Sequence, residues 1–358
     1  TVLGTLFAGI LQVVQLRITE RLQQRIFTRA AFEFALRIPA IKVEALYKKY
    51  APELMNRFFD VISVQKGLSK LLIDVVAAGL QAVFGLILLS IYHPFFTIFN
   101  VVVGAVMFLL FRWTSRQGLS TSIEESNHKY KVAHWLEELA RTASTFKLAG
   151  TTRLPVDQTD THVALYLSAR QKHFRVLMRQ YTFLVAFKVI VVAGLLVIGG
   201  IMVMEQVMNI GQFIAAEIIV VLLMNSVEKL VLSIETAYDV LTSLEKIGQV
   251  TDLELEAEGG DSMPTSEARG RAVEINAIRY RHPGQTQPLF DQFTATISPG
   301  ERILIAGPQG SGKSTFLQFF AGLVLPQEGH IAFNGHPMQH AHLESLRSQI
   351  GEVLDDQV

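Results

Sequence analysis

Gly307-Pro308-Gln309-Gly310-Ser311-Gly312-Lys313-Ser314-Thr315 follows the apolar run Arg302-Ile303-Leu304-Ile305-Ala306 and precedes the stretch from Phe316 to Leu323. The run before it reads as a strand and the stretch after it as a helix. A glycine-rich turn between strand and helix, closing on Lys-Ser, is the pattern of a phosphate-binding loop, and the flanking elements separate it from a chance cluster of glycines. Glycines at 307, 310 and 312 let backbone N–H groups approach phosphate oxygens without a Cβ in the way. The following helix turns its amino terminus toward the same anion. Lys313 supplies a point charge for the β- and γ-phosphates, which makes it the candidate catalytic residue, and the Ser314 hydroxyl is placed to ligate Mg²⁺. The loop from Gly307 to Thr315 is thus a candidate site for ATP and its Mg²⁺.

Upstream, Ala272 to Tyr280 and Phe290 to Ile297 read as strands, and Gly300-Glu301 as a turn into the strand that feeds the loop. Before them, the acidic, Gly/Pro-punctuated stretch Glu254-Leu255-Glu256-Ala257-Glu258-Gly259-Gly260-Asp261-Ser262-Met263-Pro264 reads as a linker. The expected organisation is a helical domain over 1–244, a linker over 245–270, and an α/β nucleotide-binding part over 271–358.

The helical part is mostly lipid-soluble. Half of the 358 residues are hydrophobic, and mean hydropathy is +0.33. What decides the class is that the apolar residues are clumped: Val2 to Leu16, Leu71 to Ile91, Phe95 to Phe111, Thr182 to Met204 and Phe213 to Leu232. The last four approach the roughly 20 residues needed to cross a bilayer. Formal net charge is zero, so no global basic field argues for nucleic acid. The absence of cysteine excludes disulfides and thiolate metal sites.

Lys and Arg residues give an orientation. Arg17, Arg21, Arg25, Arg29, Arg37 and Lys42 begin the first long connection, and Arg112, Arg116, Lys129, Arg141, Arg153 and Arg179 mark the second. The short links around His93 and Asn209 hold none. By the positive-inside rule the long connections are cytosolic and the short ones external, which puts the C-terminal part in the cytosol, where ATP is. The long connections keep helical spacing, with Arg17, Arg21, Arg25 and Arg29 on one solvated face and Trp135, Leu136, Leu139 and Phe146 on another helix face. Pro39, Pro52 and Gly150 mark turns at their far ends.

With these residues in view, the chain resembles an ABC exporter half-transporter: an all-α transmembrane bundle with cytosolic helix extensions, fused to a P-loop ATPase domain. Leu36-Arg37-Ile38-Pro39 looks like the approach to the first coupling helix of that family, and Glu138 to Gly150 like the second. Gly211-Gln212-Phe213-Ile214-Ala215-Ala216 resembles the entry to the last membrane helix, particularly in the protein and peptide secretion branch. Pro299-Gly300-Glu301, the loop at 307–315, the stretch from Gly329 to Gly335 and that from Leu346 to Gly351 follow the family's order.

The resemblance implies an ATPase coupled to export, two such halves as a homodimer in a lipid bilayer, a bacterial inner membrane with the ATPase domain in the cytoplasm, and no nucleic-acid partner. It favours a peptide or protein cargo, with lipids or drugs as the other classes. It also implies a fragment cut at both ends, five spans with a first helix upstream, and the rest of the nucleotide domain downstream. Two positions depart from the family pattern. His282, before Pro283-Gly284, stands where an adenine-stacking aromatic is expected, with Tyr280 two residues earlier as the other candidate for the base. Asp355 stands at the glutamine that contacts Mg²⁺. These departures support a competing reading, a nucleotide-binding membrane regulator that transports nothing. A soluble P-loop ATPase with a helical domain is the third.

Among single residues, Glu217 lies inside the last span and is either a pathway group or a hydrogen-bonded structural acid. Lys188 is expected to snorkel to the interface, and Asp74 to be solvated or paired. His128, His134, His162 and His173 lack ligand spacing and read as surface histidines. Phe95, Phe96, Phe99, Phe108 and Phe111 read as lipid-facing or core packing.

Overall fold

A computed structural model of the chain describes residues 2–47, 51–92, 94–257, 259–263 and 270–351. It forms two compact units, the first made of Thr1–Phe32 with Met55–Val250 and the second of Glu33–Leu54 with Thr251–Val358.

The first unit is built from long helices. α1 runs Val2–Arg37. Two short helices, α2 (Val43–Leu46) and α3 (Ala51–Asn56), fall wholly or mostly in the segment of the second unit that precedes α4 (Asp60–Tyr92), with which the first unit resumes. α5 (Pro94–Arg141) is one uninterrupted helix of 48 residues, followed by α6 (Ala143–Leu148). α7 (Leu154–Met204) has 51 residues and α8 (Ile210–Thr251) has 42. At 1.5 Å per residue, α7 is roughly 75 Å long, more than twice a hydrocarbon core. The apolar runs are therefore portions of helices that continue well beyond lipid.

Among the described residues four segments are long and apolar enough to cross a membrane: Val2–Ala40, Leu54–Ile91, Leu154–Met204 and Ile210–Thr251. Five were expected. The fifth falls on α5, where the described apolar stretch is Pro94–Val106 and the run itself continues to Phe111. Met107, Leu110 and Phe111 lie outside the described side chains.

The turns follow local chemistry. Proline begins α5, where its missing N–H costs nothing. α8 opens on a reciprocal cap: the Gln212 N–H donates to Asn209 Oδ1 at 2.7 Å, and the Asn209 N–H to Gln212 Oε1 at 3.0 Å. Pro39 lies in a 3₁₀ turn and Gly150 has φ +72°. Pro52, expected to mark a turn, is instead the second residue of α3.

The core of this unit gathers Leu89, Phe96, Val103, Leu184, Val191, Leu195, Val220, Leu223 and Met224 from α4, α5, α7 and α8. Close approach needs small residues. A Cβ on Gly118 would lie 2.2 Å from the Tyr238 ring, so glycine lets α5 and α8 meet there.

Beyond the apolar runs the helices are tied by polar groups. The Arg57 guanidinium lies 3.6 Å above the Tyr130 ring, and the Tyr130 hydroxyl donates to Asp60. Lys246, 1% exposed, donates to Asn127 and lies 3.2 Å from Glu245. Buried charges are costly alone, so these partners are what let the side chains stay inside.

Several sequence expectations are corrected here. His173 is not on the surface; it is 3% exposed, with Nδ1 2.8 Å from Thr121 Oγ1. Lys188 does not simply snorkel: its ammonium lies 3.1 Å from Glu228 Oε2 and 3.3 Å from Asn225 Oδ1. Trp135, Leu136, Leu139 and Phe146 do not share one helix face, because α5 ends at Arg141 and Phe146 falls on α6. Arg17, Arg21, Arg25 and Arg29 are all exposed.

The second unit carries an antiparallel sheet of order β2-β1-β3-β4, with β1 Val273–Tyr280, β2 Phe290–Ile297, β3 Glu328–Phe333 and β4 His336–Pro337. β1 alternates buried and exposed residues along much of its length. Asn334-Gly335, φ +51° and +79°, turns β3 into β4, the dipeptide such hairpins require. Helices α9 (Lys313–Phe320) and α10 (Leu343–Arg347) complete the unit. Ile275, Ile278, Tyr280, Phe319, Val324, Ile331, Met338 and Leu346 form its core.

The segment 33–54 belongs to this unit. Ile41 bridges Leu255, the Lys42 N–H donates to the Glu254 carbonyl at 3.0 Å, and Lys42 and Glu254 form an ion pair. Arg347 clasps Glu256 through Nη1 and Nη2 at 2.6 and 2.7 Å and donates from Nε to the Ala321 carbonyl and from Nη2 to the Gly322 carbonyl, each at 3.0 Å.

Candidate functional site

The glycine-rich loop lies in the second unit, between residues that follow β2 and the start of α9. Gly312 is the N-cap of α9 with φ +92° and ψ 10°, a left-handed conformation that side chains disfavour. Gly310 is also left-handed, with φ +83°. A Cβ on Gly312 would meet Leu289 and Phe290 carbons at 3.1 Å, and one on Gly307 would fall 2.8 Å from Ser311 Oγ. The loop is held by Ser311 N–H donating to the Pro308 carbonyl at 3.3 Å, and α9 begins with Phe316 N–H donating to Gly312 at 2.8 Å. The amides just before Phe316 carry the unsatisfied donors and positive dipole end of a helix.

Lys313 closes the loop on itself. Its ammonium donates to the Gly307 carbonyl at 2.9 Å and the Pro308 carbonyl at 2.8 Å. An ammonium held against two carbonyls is one hinge away from an anion seated in the same loop. Gln309 and Ser314 are exposed, whereas Thr315 is 7% exposed. Glycines that a Cβ would crowd, a lysine folded over the loop and a helix amino terminus together form a donor set suited to a polyphosphate.

Helix α9 begins three residues earlier than expected and ends at Phe320, with Gly322 left-handed at φ +61° just beyond. The expected strand at 302–306 is not formed: these residues have no ladder partner among the described residues, and Leu304 is 90% exposed. A nearly continuous apolar run is the pattern of a strand buried on both faces, which exists only between neighbours.

Tyr280 is corrected from a base-stacking candidate to a core residue. It is 2% exposed and packs edge-on against Phe319, with ring centroids 5.3 Å apart, and against His282 at 5.1 Å. Burial, and then a hydrogen bond with Tyr47, push its phenol above the ordinary tyrosine range. His282 is half-buried, with Nε2 3.2 Å from Thr315 Oγ1 and Nδ1 3.5 Å from the Tyr280 hydroxyl. Tyr47 stands edge-on to His282 at 5.3 Å, and its hydroxyl donates to Gln318 Oε1 at 3.4 Å. Sequence reasoning missed Tyr47 and Gln318, since no motif marks either. Asp355 lies outside the described residues, and among those described no cluster of three or more His, Asp or Glu is arranged to hold a metal.

Comparison with known proteins agrees with this picture. The family model described as the ABC transporter transmembrane region matches residues 1–227, and the model described as ABC transporter matches residues 290–358. An ATP-dependent lipid A-core flippase of Burkholderia orbicola is 31% identical over 150 residues, 42% of this chain and 25% of that protein. The alpha-hemolysin translocation ATP-binding protein HlyB of Escherichia coli O157:H7 is 29% identical over 160 residues, 45% of this chain and 22% of that protein. The chain thus matches a quarter or less of the length of these relatives. A solved bacterial Atm1-family ABC exporter with ATP bound superimposes with a TM-score of 0.77, covering 96% of this chain and 60% of the other at 15% identity, a likeness of fold alone. Matched over residues 1–227 by the one model and over the glycine-rich loop by the other, the chain belongs to the ABC transporter family.

Proposed function

We propose that this chain is part of a subunit of an ATP-driven exporter, in which ATP bound at 307–315 drives movement of a cargo, with peptide or protein favoured over lipid or drug, through the helical unit. The observation that carries the reading is the joining, in one polypeptide, of a glycine cradle at the start of α9 to helices long and apolar enough to cross a membrane. The relatives' names add two cargoes, lipid A-core and alpha-hemolysin. The likeness around Gly211 to Ala216 favours peptide or protein.

In this reading the amides of Gly310 to Ser314 hold the β- and γ-phosphates. Lys313 leaves the Gly307 and Pro308 carbonyls for the γ-phosphate and offsets charge as the γ-phosphoryl passes to water. Ser314, exposed on the first turn of α9, would ligate Mg²⁺, which supplies charge neutralisation across the phosphates. His282, the half-buried ring beside Thr315, is the group offered to the base. Two copies work together in a plasma membrane, with the ATP-binding unit in the cytosol, the side to which the arginine-rich connections point.

The test uses the full-length protein in proteoliposomes. Lys313→Ala is expected to lower ATP turnover by about a hundredfold and to stop ATP-dependent movement of either a labelled peptide or a labelled lipid. Turnover unchanged in the variant, or no cargo of either class moved by the wild type, would overturn the proposal.

A further inference from the structure

Below the apolar part of α4 lies a pocket of about 420 Å³ between α4, α5 and α8, entirely within the first unit. Lys66 and Lys70 from α4 and Lys129 from α5 line it, together with hydroxyls such as those of Ser126 and Ser243. Two carboxylates, Glu125 and Asp239, line it as well. Glu125 already accepts from Arg170 at 2.9 Å, and Lys129 lies 4.0 Å from Asp60. No carboxylate among the described residues is within ion-pair distance of Lys66 or Lys70.

Lys66 and Lys70 are one helical turn apart on α4, an arrangement of like charges that weakens a helix unless an anion lies between them. Their position adds a second constraint. Lys70 is the last residue before the apolar run that opens at Leu71, so it lies at the edge of hydrocarbon, and Lys66 lies about 6 Å below it. That is the depth of a headgroup layer, where basic pockets between membrane helices take anionic headgroups. Three ammonium donors and a ring of hydroxyls suit a group with several acceptor oxygens.

We propose that this pocket binds a phosphate-bearing anion, on a lipid headgroup or free as a phosphate ester. The assignment requires α4 to cross a membrane and is independent of which cargo is exported and of ATP turnover.

The full-length protein is reconstituted in nanodiscs containing phosphatidylcholine and phosphatidylglycerol, and the lipids retained after gentle extraction are counted by native mass spectrometry. Wild type is expected to keep phosphatidylglycerol over phosphatidylcholine. Lys66→Gln/Lys70→Gln, at exposed positions that should not disturb folding, is expected to reduce that preference about tenfold. Arg21→Gln/Arg25→Gln, which removes the same charge from exposed sites on α1, is expected to leave it unchanged. A second arm titrates glycerol phosphate into protein in neutral detergent. Binding there that is lost in the lysine variant assigns the site to phosphate esters generally, whereas retention of lipid without it assigns the headgroup. No preference in wild type, equal retention by the lysine variant, or an equal loss in the arginine control would each overturn the proposal.

Discussion

Gly312 illustrates how a single residue fixes the site. Its φ of +92° and the 3.1 Å that a Cβ would leave to Leu289 and Phe290 combine backbone strain with crowding. Gly310 shares the left-handed backbone, at φ +83°, but a Cβ there meets nothing within 4 Å. Gly312→Ala is therefore expected to destabilise the protein by about 1–2 kcal/mol, and Gly310→Ala by less. Both are expected to weaken ATP binding, because a Cβ intrudes where phosphate would approach. Thermal melts and titration with a fluorescent ATP analogue measure the two effects separately. Equal stability of the two variants would contradict the crowding at Leu289 and Phe290. These glycines were legible in sequence because only glycine tolerates the backbone the loop demands. Tyr280 was not: it ends β1 on the buried face, whereas His282 lies beyond the strand, and only the packed sheet distinguishes the two.

At the scale of elements, the Asn209–Gln212 cap sets where α8 starts. It satisfies one amide in the five-residue link between two apolar helices and one in the first turn of α8. Asn209→Ala is expected to cost about 1 kcal/mol, with Asn209→Ser close to wild type, as read from melting temperature in detergent. If Asn209→Ala melts with the wild type, the cap contributes nothing measurable. The helices were legible because length and hydropathy are local properties of a run. The strand at 302–306 was legible in pattern yet is absent, since strand formation is a property of neighbours. Lys188 and His173 show the same limit. Sequence placed them on α7, but only packing brings Lys188 to Glu228 and His173 to Thr121. Tyr47 and Gln318, 271 positions apart, meet in the second unit by the same kind of long-range contact.

For the whole molecule, the decisive physical question is which ends of the apolar helices face the cytosol. The link 205–209 between α7 and α8 contains no Lys or Arg, whereas the α1 continuation carries Arg17, Arg21, Arg25 and Arg29, and the chain between α6 and α7 carries Arg153. Positive charge is retained on the cytosolic side during insertion, so the link should be external and both arginine sites internal. These 358 residues contain no cysteine, so within them a thiol label reports only the introduced position, and the protein without an introduced cysteine sets the labelling background. Glu205, Arg25 and Arg153 are exposed, so Glu205→Cys, Arg25→Cys and Arg153→Cys should present reactive thiols without disturbing a core. In intact cells a membrane-impermeant maleimide is expected to label Glu205→Cys alone, and all three after permeabilisation. The inverse pattern would place the P-loop unit away from cytosolic ATP and remove the basis for ATP-driven export. Labelling of all three in intact cells would mean that the helices do not separate two compartments, however apolar they are.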